Sequence, residues 1–132
     1  RKMRDELQSP SRGVRQTPPA VAYSNGPLPV PVETTITQIQ ELMWKDVGIV
    51  RTAAGLKQAI AQLEQLGSPL KAPHSRREFE ARNLQLTGTL VAKSAIAREE
   101  SRGAHYRTDF PDHNDAKFRK HSIFCGEKIT FE

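Results

Sequence analysis

Cysteine is almost missing from this chain of 132 residues, which has a single thiol at Cys125. One thiol forms no internal disulfide framework and supplies no Cys-rich zinc module. It fits a reducing compartment, and a cytoplasmic location is the expectation. No secretory signal is visible. Long apolar runs are lacking too: nothing approaches the roughly 18 residues of a spanning helix, which argues against a membrane protein. With Arg1 first and Met3 the earliest methionine, the chain is expected to be a piece of something longer.

A strong charge of one sign is missing from most of the chain, despite a net charge of +5. Residues 1–31 hold five basic and two acidic side chains, a net of +3. Residues 32–100 hold nine and eight, and residues 101–132 hold six and five, so each is +1. A phosphate-binding face needs clustered cations, because each neutralised phosphate adds counterion-release affinity. Here the signs alternate, and only eight aromatics exist to stack on bases. No nucleic-acid partner is expected; the pattern is that of a solvated mixed-charge surface.

What the chain does have is local organisation. Residues 1–7 read as the last turns of a helix. Between Ser9 and Pro31 stand six of the nine prolines. Each fixes φ and removes a donor, so residues 8–33 are an extended Pro-rich linker rather than helix or strand. The folded part is an all-α three-helix bundle over residues 34–103, followed by a loop and tail over 104–132. Thr34 or Thr35 caps the first helix, near 35–50, whose stripe is Ile36, Ile39, Met43, Val47 and Val50, with Trp44 at its edge. Thr52 opens a second helix near 53–66, with Leu56, Ala59, Ile60, Leu63 and Leu66 on one face. Gly67 is its expected left-handed stop, and Pro69 blocks continuation.

Ser75 and Glu78 form a capping box, opening a third helix expected to run to about Ser101. Phe79, Leu86, Leu90 and Ala97 line one apolar face of it; Leu84, Gly88, Val91 and Ala95 line another. A helix apolar on two sides is packed on two sides, so this one is expected at the centre. The tail 120–132 alternates weakly around Gly126-Glu127, which suits either a short β-hairpin or irregular structure.

The segment after Ile96 is locally unfavourable. Glu99 and Glu100 would face the negative end of a helix dipole, at about 0.3–1 kcal/mol each when exposed. Arg98, Arg102 and Arg107 are near enough to compensate, and Gly103 is expected to end the helix. Such conflicts mark places set by tertiary contacts or function, although a surface ion cluster of little consequence has the same signature.

Glu100-Ser101-Arg102-Gly103-Ala104-His105, followed by Arg107, Asp109 and Pro111, resembles the C-terminal signature of the succinate dehydrogenase/fumarate reductase flavoprotein family. Within it, Leu42-Met43-Trp44-Lys45-Asp46-Val47-Gly48-Ile49-Val50-Arg51 resembles the first bundle helix of the L-aspartate oxidase branch. Ala81-Arg82-Asn83-Leu84 resembles that branch's long helix. The likeness covers roughly residues 34–124, and residues 1–7 match the helix that closes the flavin-binding domain. It implies FAD in the longer enzyme and oxidation of L-aspartate to iminoaspartate. Oxygen or fumarate then reoxidises the flavin, and quinolinate synthase consumes the imine towards NAD. No Gly-x-Gly-x-x-Gly turn for a pyrophosphate occurs in this chain. The family's substrate arginines and histidines lie upstream, so no catalytic or cofactor-binding residue carries over. Glu100, Arg102, His105 and Arg107 become candidates for an interface with the flavin domain.

Two other constellations carry less. His105, Asp109, Asp112, His113, Asp115 and His121 lack the tight spacing of metal ligands, and no metal is expected. His121 and Cys125 need not face each other, and nothing lowers the thiol pKa. Two alternatives stay open: the same domain of a dehydrogenase or fumarate reductase flavoprotein, and a free-standing helical interaction module.

Overall fold

The computed structural model describes residues 30–132, so the readings of residues 1–7 and of most of the Pro-rich arm lie outside the described residues. Three helices form the bundle: α1 (Val32–Asp46), α2 (Ala53–Gly67) and α3 (Arg76–Ala97). A two-residue strand, β1 (Val50–Arg51), lies between α1 and α2 and pairs in parallel with β2 (Tyr106–Arg107). A single helical turn, α4 (Asp115–Phe118), precedes the antiparallel hairpin of β3 (Ser122–Cys125) and β4 (Lys128–Phe131). The tail is therefore the hairpin alternative. Its two-residue turn places Gly126 at φ 61, a conformation that L side chains rarely adopt. No helix among the described residues is long and apolar enough to cross a membrane.

The core follows the helical stripes. Ile39, Leu42 and Val47 of the α1 side meet Leu56, Ala59 and Leu63 of α2 and Ala92 and Ala95 of α3. Each large aliphatic chain enclosed there contributes about 1.5–3 kcal/mol relative to exposure. A smaller cluster of Ile36, Leu70 and Ala81 closes the other end. As expected, α3 packs on both other helices. Its packed side, however, is built from Ala81, Gly88, Ala92 and Ala95. Leu86 is 53% exposed, and Phe79, Leu84 and Val91 also face outward, so the two-sided burial expected of α3 is not found among the described residues. Small residues let α3 approach closely: a Cβ on Gly88 would stand 2.9 Å from Met43 Sδ.

Several boundaries differ from the sequence reading. Thr35 is buried rather than capping; α1 starts earlier, behind Pro31, whose carbonyl accepts from Thr35 N–H. The ends of α1 and α3 fall short of the expected Val50 and Ser101. Gly67 is right-handed (φ −76) and leads into a 3-10 turn, Ser68–Lys71, that contains Pro69. Its lack of a side chain serves proximity instead, because a Cβ there would meet Gln85 Cδ at 2.6 Å. Gln85 Nε2 donates to Leu63 O at 2.9 Å, stitching α3 to α2. Trp44, at the edge of the apolar stripe, is 87% exposed. The local caps form as expected: Thr52 Oγ1 accepts from Gly55 N–H, and Ser75 Oγ from Glu78 N–H, while the Glu78 carboxylate accepts from His74 N–H.

Gly48 sits where α1 gives way to β1. A Cβ there would lie 2.8 Å from the Trp44 carbonyl oxygen, which is backbone and cannot swing aside. Gly48→Ala is therefore expected to cost about 1–3 kcal/mol as the helix end shifts, read as a lowered urea midpoint with an unchanged slope.

Candidate functional site

The loop that follows α3 gathers four arginines, and each is fixed by a different demand of the backbone. The last carbonyls of a helix have no intrahelical partner. At the end of α3 no basic residue stands in the last turn. Arg107 takes that role from beyond the helix: its Nη1 donates to Ala95 O (3.1 Å), Ile96 O (3.2 Å) and Arg98 O (3.4 Å). Its other edge grips Asp109 in a two-pronged pair, both contacts at 2.7 Å. Asp109 in turn accepts from Ala53 N–H, an orphan donor at the start of α2. One ion pair, Arg107 buried and Asp109 at the surface, thus joins the negative end of α3 to the positive end of α2, with both charges on the favourable side of each dipole. The guanidinium also lies over the Phe110 ring, 5.0 Å from its centre.

Glu100 forms the second node. It lies past the end of α3, since Arg98 already leaves helical geometry, so the dipole conflict expected of Glu99 and Glu100 does not arise. Its carboxylate is completely buried. Arg98 Nη1 donates at 2.8 Å, Arg102 Nε at 3.0 Å, Arg102 Nη2 at 3.2 Å, and Asn114 N–H at 2.8 Å. Arg102 also pairs with Asp115. These donors, Arg102 first, hold the carboxyl down at about 2 against the opposing effect of burial.

Arg98 extends the lattice to the C-terminal hairpin. It donates to Phe118 O and Lys120 O, both at 2.7 Å, and to Ser122 Oγ at 3.0 Å. Its guanidinium faces Phe118 and Phe131, whose rings meet edge-on 4.8 Å apart. The hairpin is therefore bound to the bundle through one cation and the buried Phe118.

The third node is His105. The chain turns tightly at Arg102-Gly103-Ala104-His105, with Gly103 at φ 57 and two reciprocal backbone bonds between Arg102 and His105. Nδ1 of His105 lies 2.6 Å from Arg51 Nη1, and Nε2 lies 3.1 Å from Arg98 O. A guanidinium only donates and a carbonyl only accepts, so these partners assign a neutral ring with its proton on Nε2. Burial, and then Arg51, Arg107 and Arg98, lower its pKa. Arg51 itself folds back onto the end of α1, with Nε donating to Gly48 O at 2.6 Å.

The pH dependence follows from these shifts. A histidine with a lowered pKa stabilises the fold above its ordinary 6.5, and that contribution is lost as the pH falls below it. Glu100 and Asp109, each held at about 2, contribute fully above the ordinary carboxylate range and progressively less below it. Unfolding free energy is expected to be flat near neutrality, to decline first below 6.5, and to fall more steeply below about 4.5, traced by urea titrations at stepped pH.

Of the interface candidates, Glu100 and Arg107 are enclosed by this chain's own groups, whereas Arg102 and His105 are partly exposed. The anticipated pairing of Arg102 with Glu100 is present. Arg51, Asp109 and Asn114 were not singled out for these roles from sequence; the readable signal for Arg51 was a cation just beyond the end of the first apolar stripe. Both nitrogens of His105 are engaged, so the ring is not poised as a base. Among the described residues no group of His, Cys, Asp or Glu could hold a metal ion. The lattice is a device for closing helix ends.

The sequence profile of the family described as fumarate reductase flavoprotein C-term matches residues 36–132. An uncharacterized FAD-dependent oxidoreductase of Methanocaldococcus jannaschii is 35% identical over 107 residues, 76% of this chain and 20% of that protein. The L-aspartate oxidase of Rhodospirillum rubrum is 32% identical over 118 residues, 88% of this chain and 40% of that protein. Among solved structures, the Mycobacterium smegmatis Sdh1 complex in the apo form superposes with a TM-score of 0.58 at 28% identity, covering 68% of this chain and 17% of that one. The chain thus spans between 17% and 40% of the length of these relatives.

Proposed function

Because the chain belongs to the fumarate reductase flavoprotein C-terminal family, we propose that it is the helical C-terminal part of a longer FAD-dependent L-aspartate oxidase. The observation that carries this reading is the 32% identity to the Rhodospirillum rubrum enzyme across 88% of the chain. The longer protein would oxidise L-aspartate to iminoaspartate in the cytoplasm, for use by quinolinate synthase in making NAD. Its flavin domain is the immediate partner of this one, with Arg102 and His105 the exposed members of the loop to meet it.

The residues described here do not fit FAD. A dinucleotide needs a strand, a glycine turn and a helix N-terminus at its pyrophosphate. The strands here are two to four residues long, and none leads through such a turn. The role of this part is structural, holding three helices and a hairpin in one rigid unit. The chain alone is expected to stay colourless after incubation with FAD and removal of excess flavin, read by its visible absorbance.

A second reading, a succinate dehydrogenase or fumarate reductase flavoprotein, is favoured by the likeness to the Mycobacterium smegmatis Sdh1 complex. The two separate by mixing the longer protein anaerobically with L-aspartate or with succinate. Bleaching of the flavin by aspartate alone supports the oxidase; bleaching by succinate alone overturns it.

A further inference from the structure

The charges of the arginine lattice do not balance. Arg98 and Arg102 share Glu100, Arg102 also holds Asp115, and Arg107 has Asp109. Arg51 is half-buried, yet among the described residues no carboxylate lies within ion-pair distance of it. Its partners are the carbonyls of Val47 and Gly48 and the ring of His105. Those carbonyls offer the partial charge of a helix end, not a full negative charge. A guanidinium removed from water is ordinarily matched by an anion, and Arg107, a second cation, opposes its charge further.

Arg51 opens onto a cavity of about 340 Å³. Polar groups from several parts of the chain converge there: His105, Ser94 of α3, Ser122 of β3, and Arg98, whose charge is already matched by Glu100. Leu90 and Val91 provide an aliphatic wall, and Val91 is 39% exposed. Two of the five polar groups are hydroxyls, which donate as readily as they accept. A cationic end beside an aliphatic wall fits one negative charge on a short apolar stem.

We propose that this cavity is a carboxylate site, in which Arg51 receives a carboxylate carried on an aliphatic stem and supplied from outside this chain. The stem lies along Leu90 and Val91, and the serine hydroxyls flank the anion. The same chemistry is carried by a free branched-chain acid and by an acidic side chain of a docked polypeptide. The site does not depend on which oxidation the longer protein performs.

The test titrates the 132-residue chain with isovalerate and with the capped peptide Leu-Glu-Leu, using isovaleramide and Leu-Gln-Leu as uncharged controls. Nuclear magnetic resonance follows the Val91 methyls and the His105 ring. Both carboxylates are expected to bind saturably and to raise the His105 pKa, because an anion beside Arg51 offsets the surrounding cations. The uncharged controls should shift neither signal. Peptide binding at least tenfold tighter than isovalerate identifies a polypeptide side chain as the source, and equal affinity identifies a free acid. Arg51→Gln should weaken both at least tenfold. Val91→Glu, on an exposed helical position, should supply the carboxylate internally, raise the melting temperature and abolish probe binding, and it decides the matter should Arg51→Gln not fold. Equal responses to acid and amide, no saturable response at all, or a Val91→Glu chain that still binds isovalerate would overturn the proposal.

Discussion

Glu100→Ala is expected to cost about 3–5 kcal/mol, the range for breaking a buried ion pair by removing one partner. The carboxylate is fully buried and accepts from Arg98, Arg102 and Asn114 N–H. Its removal leaves two guanidinium groups facing each other across a gap, with the amide unpaired. Glu100→Gln keeps the volume but presents a neutral group, so it should lose most of the same amount. Chemical denaturation of the whole chain measures both. A loss under about 1 kcal/mol would place Glu100 with ordinary surface pairs and remove it from the centre of the lattice.

Arg107→Met should cost less, about 1–3 kcal/mol, because it strips buried helix-end carbonyls of their donor and leaves Asp109 exposed rather than stranded in the interior. The aliphatic stem is kept, so packing changes little. What is lost is the cation over three helix-end carbonyls and the partner of Asp109. Arg107→Lys should not restore stability, because one ammonium cannot hold a two-pronged carboxylate and three carbonyls in the same geometry. The discriminating measurement is the acid limb of the stability curve. With Arg107 gone, the Asp109 carboxyl returns towards its ordinary range, its share of the acid loss disappears, and the acid limb becomes shallower. An unchanged acid limb would mean that Ala53 N–H alone holds Asp109.

The parts of this fold legible in sequence are those decided within a few residues. The Thr52 and Ser75 caps and the Leu56, Ala59, Leu63 face of α2 each depend on spacing of one to four positions, and each was found where expected. The ends of α1 and α3 were not legible, because Arg51 and Arg107 set them from outside the helices. Apolarity also misled in α3. Leu86 and Phe79 are among its large apolar residues, yet its buried side is Ala81, Gly88, Thr89, Ala92 and Ala95, small enough to admit neighbouring helices closely. The Arg102–Glu100 pair was readable because the two are neighbours in sequence. The inward turn of Arg107 was not, since it rests on carbonyls whose exposure depends on where α3 stops.

The parallel pairing of β1 and β2 has a kinetic consequence. It joins Val50 to Tyr106 and Arg51 to Arg107, residues separated by nearly half the chain. Closing a loop of that size in an unstructured chain costs roughly 3–4 kcal/mol in entropy, more than a ladder of two residues per strand returns. The ladder therefore has no independent existence. It closes after α2 and α3 have already carried its ends together, as one of the last events on the route to the native state. The amides of Tyr106 and Thr108, which donate to Ile49 O and Arg51 O, are thus late-closing gates. In a pulse-labelling experiment they should acquire protection after the amides of α2 and α3, a clock built into the seam.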